Sequence, residues 1–385
     1  MYLGVGMKIL HVADLHLGRL FNGWSLEVDH AAILAQTLQA MAEHQPDVLI
    51  IAGDIFDRAA PPASAVRQFN DFMRRVALDT TAAVVMIAGN HDSGDRIGSM
   101  AILTDAKRAL IRGPLAADEY PLVLADQYGP VAFSALPFGY EFAARECFQG
   151  KPIATLQDVM TAQVAAAHRY VPPGARWVIT AHAFVAGCAT SENERPARAG
   201  GIDQVEPLTF QGAHYVALGH LHRPQQVGRP FVRYSGSPLA FGFDEAGAQK
   251  SMCLVELDAA GNASITMIPF SPPRGVRVLT GTLADLLLMT ASNDFIRPVL
   301  TDDAPRIDPM KQLREKFPYA CNLTYARDEK MRDASLAAAD PARAHQPIEI
   351  VIDFIKQVRD SEISDAERDL VIAALTDIQT VEANT

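Results

Sequence analysis

Cysteine is scarce in this chain and never paired. Cys147, Cys188, Cys253 and Cys321 stand far apart, with no C-x-x-C spacing. That argues against a disulfide scaffold and a thiolate zinc site, and points to a reducing, cytosolic compartment. Long hydrophobic runs are also lacking; none approaches the ~20 residues needed to span a bilayer. The opening MYLGVGMKIL has no charged segment followed by a sustained apolar stretch, so no secretory signal is expected. MKILHVADLH already reads as a first strand from Met7. Positive charge is in deficit: 34 Lys and Arg stand against 45 Asp and Glu, a net charge of -11. A non-specific nucleic-acid binder usually carries a basic footprint. Affinity for a polyanion would have to come from a local patch or a partner.

What remains is globular. The 385 residues are 49% hydrophobic, which suits one large domain with one or two smaller units. Short apolar runs alternate with helical patterns. KILHVA (8–13), DVLIIAGD (47–54), AAVVMIAGNHD (82–92), PVAFSALP (130–137), RWVITAHA (176–183) and HYVALGHLH (214–222) read as buried strands. Helices are expected from Asp29 to His44, from Ser64 to Ala77 and near 155–169, with apolar residues such as Ile33, Leu38, Phe69 and Phe72 at helical spacing. Interleaving of this kind predicts an α/β architecture with buried sheets. FVRYSGSP, SMCLVELD and ASITMIPF then suggest an antiparallel meander.

SPPRG (271–275) reads as a boundary, giving a main domain over 1–272. A small β-α-β-α-β unit is expected over 273–328 and a linker over 329–347. A helical pair completes the chain over 348–381. Its first helix carries Ile348, Val351, Ile352 and Ile355 on one stripe; its second opens with Ser364 and Glu367 at capping-box spacing and carries Val371, Ala374, Leu375 and Ile378.

The polar residues fall at the strand ends. The first ends in Asp14-x-His16, the second in Gly53-Asp54 and the third in Gly89-Asn90-His91-Asp92. Later ones end in His182 and in His220-x-His222. Singly these are bland: a histidine after a strand is more often a loop residue, and Gly-Asp is usually a turn. Five ends bearing only metal-competent side chains are not. Ligands gather outside the carboxyl ends of strands in α/β sheets. Imidazole, carboxylate and amide oxygen without thiolate suit Mn²⁺, Fe²⁺ or a catalytic Zn²⁺. Asp14, His16, Asp54, Asn90, His182, His220 and His222 are too many for one ion and fit two with a bridging carboxylate. Ions about 3.5–4 Å apart activate water and stabilise both oxygens of a phosphoester displacement.

The order D-x-H, G-D, G-N-H-D, a single His and G-H-x-H resembles the calcineurin-like metallophosphoesterase superfamily. HVADLHLGR, IAGDIFDRAAPP, AGNHDS, YVALGHLHRPQ and VRYSGSPLAFGFDEAG narrow the likeness to the bacterial SbcD nuclease family. The likeness is strong over roughly 7–250.

The resemblance implies a four-layer αββα sandwich with a small α/β capping domain and a C-terminal helical pair. It implies one metal held by Asp14, His16, Asp54 and His222, and a second held by Asp54, Asn90, His182 and His220, both most often Mn²⁺. His91 would contact the phosphate or protonate the leaving oxygen, with Asp92 holding its ring. Asp57, where archaeal and eukaryotic relatives often have histidine, is given no role.

The resemblance also implies double-strand exonuclease and single-strand or hairpin endonuclease activity on DNA in repair, recombination and replication. The partner would be an SbcC-type ATPase, with this chain a homodimer within a heterotetramer and the terminal helices docking on the partner. Arg58, Arg67, Arg74, Arg75, Arg96, Lys107, Arg108 and Arg112 are candidate DNA contacts, although solvated helix faces would look the same. Two other readings stand beside the nuclease. A phosphodiesterase or phosphatase for a small substrate would use the same residues. A non-enzymatic scaffold would have lost them.

Overall fold

The computed structural model describes residues 6–102, 107–191, 194, 204–328, 363–364, 366–368 and 370–372. Two compact units divide the chain, Met1–Leu323 and Thr324–Thr385.

In chain order the first unit runs β1 (Met7–Val12), β2 (Leu20–Phe21), β3 (Trp24–Ser25), α1 (Glu27–His44), β4 (Val48–Ala52), α2 (Ala63–Asp79), β5 (Ala83–Ile87), α3 (Gly94–Ser99) and β6 (Ala109–Arg112). It continues with β7 (Leu122–Asp126), β8 (Gly129–Leu136), α4 (Glu141–Cys147), α5 (Leu156–His168), β9 (Arg176–His182) and β10 (Tyr215–Gly219). Then come β11 (Gln225–Val227), β12 (Arg229–Tyr234), β13 (Ser251–Leu257) and β14 (Ala263–Pro269).

Two six-stranded sheets face each other, ordered β14-β13-β1-β4-β5-β6 and β11-β12-β10-β9-β8-β7. Their shared interior is apolar but for the buried His11, whose Nδ1 meets the Tyr215 hydroxyl at 2.9 Å. Ile9, Val48, Ile50, Val85 and Val255 of the first sheet meet Phe133, Val178, Tyr215 and Ala217 of the second. On the outer face of the first sheet, Leu10, Leu49 and Ile51 pack on Ile33 and Leu34 of α1 and on Phe69 and Phe72 of α2. On the outer face of the second, Trp177, Ile179 and Val216 pack on Met160 and Ala167 of α5. This is the αββα sandwich. The strands read as continuous apolar runs because both faces are covered.

The meander expected after residue 230 is not formed. β12 lies parallel to β10 in the second sheet, whereas β13 and β14 form an antiparallel hairpin on the edge of the first. β10 is apolar and buried where it pairs, and β12 buries Val232 and Tyr234 on either side of the half-buried Arg233, so these two complete the outer core of the second sheet. The segment between Tyr234 and Ser251 then crosses to the other sheet.

Beyond β14 come β15 (Val276–Gly281), α6 (Leu283–Leu288), β16 (Phe295–Leu300) and α7 (Pro309–Lys316). β15 and β16 are parallel, as a strand-helix-strand unit requires. Arg274 ties the start of this segment to α1. Its guanidinium meets the buried Asp29 carboxylate, donates to the Ser25 carbonyl at 2.7 Å and lies over the rings of Phe295 and Tyr319.

In the second unit, Thr324–Tyr325 is a two-residue strand. At the start of a later helical stretch, the Ser364 hydroxyl and backbone N–H both donate to Glu367, at 2.8 and 3.0 Å, and the Glu367 N–H returns a bond to the hydroxyl. That is the capping box read from the sequence. The linker over 329–347, the stripe from Ile348 to Ile355, and Ala374, Leu375 and Ile378 lie outside the described residues.

Candidate metal centre

All the central strands β1, β4, β5, β9 and β10 run parallel within their sheets, so their carboxyl ends reach one rim. The first sheet delivers Asp14, His16, Asp54, Asn90, His91 and Asp92 there; the second delivers His182, His220 and His222. The loops leaving β1 and β4 run side by side: Asp14 N–H donates to the Gly53 carbonyl and His16 N–H to the Asp54 carbonyl. Eight non-glycine residues among those described have positive φ, and four of them are Asp14, His16, Asp54 and His220. L-residues avoid this region, and strain of this sort concentrates at functional sites. Glycine makes the approach possible: a Cβ on Gly53 would stand 2.4 Å from His182 Nδ1, and one on Gly219 would stand 1.9 Å from the Ala52 carbonyl oxygen.

Asp54 occupies the middle. Its Oδ1 accepts the His91 backbone N–H at 2.9 Å. Its Oδ2 lies 3.6 Å from His16 Nε2 and 3.5 Å from His182 Nε2. Two groups of potential ligand atoms share it: His16, Asp54 and His91 form one, Asp14, Asp54 and His182 the other. His91 is thus a member of the first cluster, and Asp14 groups with His182 as well as preceding His16. Asn90 Oδ1 lies 3.0 Å from both His182 Nε2 and His220 Nδ1. His222 packs its ring edge-on to His16, centroids 5.2 Å apart, and Phe241 sits edge-on to both.

The electrostatics fit cations. His182 Nδ1 faces the Ala52 carbonyl at 2.9 Å and must donate to it. Its Nε2 faces Asn90 Oδ1 and the Asp54 carboxylate, both acceptors. Something positive must lie between that nitrogen and the two acceptors: a proton on the ring, or a metal ion that displaces it. Buried and unpartnered atoms line the same space: Asp14 Oδ2 and both ring nitrogens of His16. Burial drives His16 down to about 4 and, with the charge of His182, drives His220 down to about 3, so both imidazoles are neutral and ligand-competent. Burial alone would lower His182, but Asp54 lifts it to about 9. Burial raises Asp14 well above the carboxylate range. It also acts to raise Asp54, yet the surrounding imidazoles hold that carboxyl far below its usual value.

Two expectations change. Asp92 does not hold the His91 ring. Its oxygens accept three backbone N–H groups, from Ile55, Phe56 and Gly89, at 2.9–3.1 Å. The His91 Nδ1 instead meets the Asp57 carbonyl oxygen at 3.0 Å. Asp57, given no role from the sequence, therefore orients His91 through its backbone. Its carboxylate meets Arg19 at 3.0 Å and lies 3.6 Å from His16 Nδ1. Among the basic candidates, Arg112 pairs with Glu119 at 2.7 Å, Arg75 with Asp79 and Arg74 with Asp71, while Arg108 donates to backbone carbonyls. These four are engaged locally, Arg112 with a buried carboxylate.

Sequence reasoning misses Glu194, Ser237, Phe241, Glu245 and Lys250. Glu194 Oε1 accepts the His222 backbone N–H and lies 3.5 Å from its Nδ1. Glu245, Ser237 and Lys250 surround the same histidine. The only signal in the sequence is the SGSP…FDE stretch, which carries family texture but no evident chemistry.

A strand-end site of this kind, drawn from two stacked sheets and centred on a shared carboxylate, is that of a metallophosphoesterase. The calcineurin-like phosphoesterase profile matches residues 7–224, and the chain belongs to that family. Membership makes it a phosphodiester hydrolase and implies divalent metal ions, which the donor set accommodates. Over 372 residues it is 27% identical to the SbcD nuclease of Staphylococcus epidermidis, a component of SbcCD, covering 95% of this chain and 97% of that protein. No described helix is long and apolar enough to cross a membrane.

Proposed function

We propose that this chain is the nuclease component of an SbcCD-type complex, a DNA exonuclease and endonuclease acting with an SbcC-type ATPase. The observation that carries the reading is the extent of the likeness. It runs through 95% of the chain, beyond the 7–224 region common to phosphoesterases in general. In this reading 273–328 caps the active site, 348–381 binds the ATPase, and two copies of the chain assemble in a heterotetramer.

Asp14, His16, Asp54 and His222 would hold one ion; Asp54, Asn90, His182 and His220 would hold the other, with Mn²⁺ as the preferred metal. Bound divalent ions supply Lewis acidity to the phosphoryl oxygens and activate water. The protein residues do the rest. Asp54 is fixed by the His91 N–H and Asp14 by the His220 N–H, so the two carboxylates keep their spacing. The His91 ring donates from Nδ1 to the Asp57 carbonyl. Its Nε2 is left to contact a phosphate oxygen or to give a proton to the departing 3′ or 5′ oxygen.

Purified chain is incubated with Mn²⁺ and labelled hairpin or linear duplex DNA, with and without an SbcC-type ATPase and ATP. Cutting of these DNAs is expected, stimulated by partner and ATP. Turnover confined to small phosphodiesters would replace the nuclease reading with the small-substrate one.

A further inference from the structure

We infer that Lys250, Glu245 and Ser237 form a buried cradle whose work is to position His222 for metal binding. The inference rests on the proposed ligand role of His222.

The chain from Ser235 to Lys250 wraps behind that histidine. Lys250 Nζ donates to the His222 carbonyl at 2.9 Å, to Ser237 Oγ at 3.0 Å and to Glu245 Oε2. The Ser237 N–H donates to the same carbonyl at 3.1 Å. Glu245 Oε1 accepts the Phe241 N–H at 3.1 Å and faces His222 Nδ1 at 3.7 Å. Glycine permits the closeness: a Cβ on Gly236, whose φ is +76°, would stand 2.7 Å from the His222 carbonyl oxygen.

Lys250 and Glu245 are 4% and 1% exposed. Burying both charges costs solvation that their attraction only partly offsets, so an ion pair like this is weak as a stabilising device. Every polar contact of the Lys250 ammonium, however, is with His222 or with a group that touches it. The lysine fixes the histidine's backbone and holds Glu245 in place. The Glu245 carboxylate, together with Glu194, favours a proton on Nδ1. That leaves the lone pair on Nε2, the nitrogen free to bind a metal. Carboxylates placed behind metal-binding imidazoles act in this way generally.

Mn²⁺ binding to the full chain is measured by calorimetry, beside metal-free thermal melts, for Glu245→Gln, Lys250→Met, Ser237→Ala and the control His222→Asn. The expected result for Glu245→Gln and Lys250→Met is selective: one of the two ions binds at least about tenfold more weakly, and the other is held within about twofold. Ser237→Ala gives a smaller loss at the same ion. General loosening would weaken both ions together, and that result, or no change in either, overturns the cradle. If Lys250→Met does not fold, Glu245→Gln and Ser237→Ala decide. If His222→Asn itself leaves both affinities unchanged, the ligand assignment fails and the cradle with it. If His222→Asn weakens one ion and the cradle variants do not, only the cradle fails.

Discussion

Asp14 Oδ1 accepts the backbone N–H of His220 at 2.9 Å, across 206 positions of sequence and from one sheet to the other. His220 has φ of +110°, a conformation this bond helps to hold. Its ring then reaches Asn90, which comes from the first sheet again. The rim of the sandwich is thus stitched by its own polar groups.

His91 is the residue whose loss should separate chemistry from binding. His91→Asn is expected to lower kcat on a chromogenic diester by about 10²–10⁴-fold, the span of general acid-base contributions. Mn²⁺ stoichiometry should stay at the wild-type value. A steady-state assay beside calorimetry reads both quantities. Unchanged turnover would remove the catalytic role.

Asp92 should behave as a structural residue. It accepts three backbone N–H groups from two loops, and Asp92→Ala would orphan them in a buried setting. A loss of about 2–4 kcal/mol is expected, read as a lower denaturation midpoint with no special effect on the pH profile of surviving activity.

His182 should give metal binding a proton signature. Asp54 raises it from 6.5 to about 9. The charged imidazolium stabilises the metal-free fold fully below pH 6.5, and that contribution is lost as pH rises through 9. Near pH ~7.5 the site therefore carries a proton that a metal must displace. Calorimetry in buffers of different ionisation enthalpy should show net proton release on metal binding. His182→Asn should reduce that release.

Gly53 should not tolerate a side chain. Its φ is +86°, and a Cβ would press on the His182 ring. Gly53→Ala is expected to cost about 1–3 kcal/mol through backbone strain and to weaken Mn²⁺ binding, as denaturant titration and calorimetry would show.

The strand ends are legible because a fully buried strand can stop only at residues of another character. VLIIA followed by Gly-Asp, and YVALG followed by His, announce both the sheet and its rim. Two sheets are harder to read. β12 looks like its antiparallel neighbours in composition, and only the packing of Val232 and Tyr234 on the second sheet assigns it. The β2–β3 hairpin escapes sequence reasoning although Asn22-Gly23, both at positive φ, is a strong turn signal. Its strands are two residues long, too short for alternation to register. Asp57 is illegible for another reason. It acts on His91 through a carbonyl oxygen, which every residue has. Glu245 and Lys250 are hidden because a buried ion pair and an exposed one are spelled alike.

The apolar layer between the sheets acquires a second meaning from what it carries at its edge. Asp14, Asp54 and Asn90 ride on one sheet; His182 and His220 ride on the other. The thickness of the layer, set by residues such as Ile50, Phe133, Val178 and Tyr215, is the jaw setting of a caliper. A methylene added or removed there, far from any phosphate, would change the gap across which the two halves of the centre must meet.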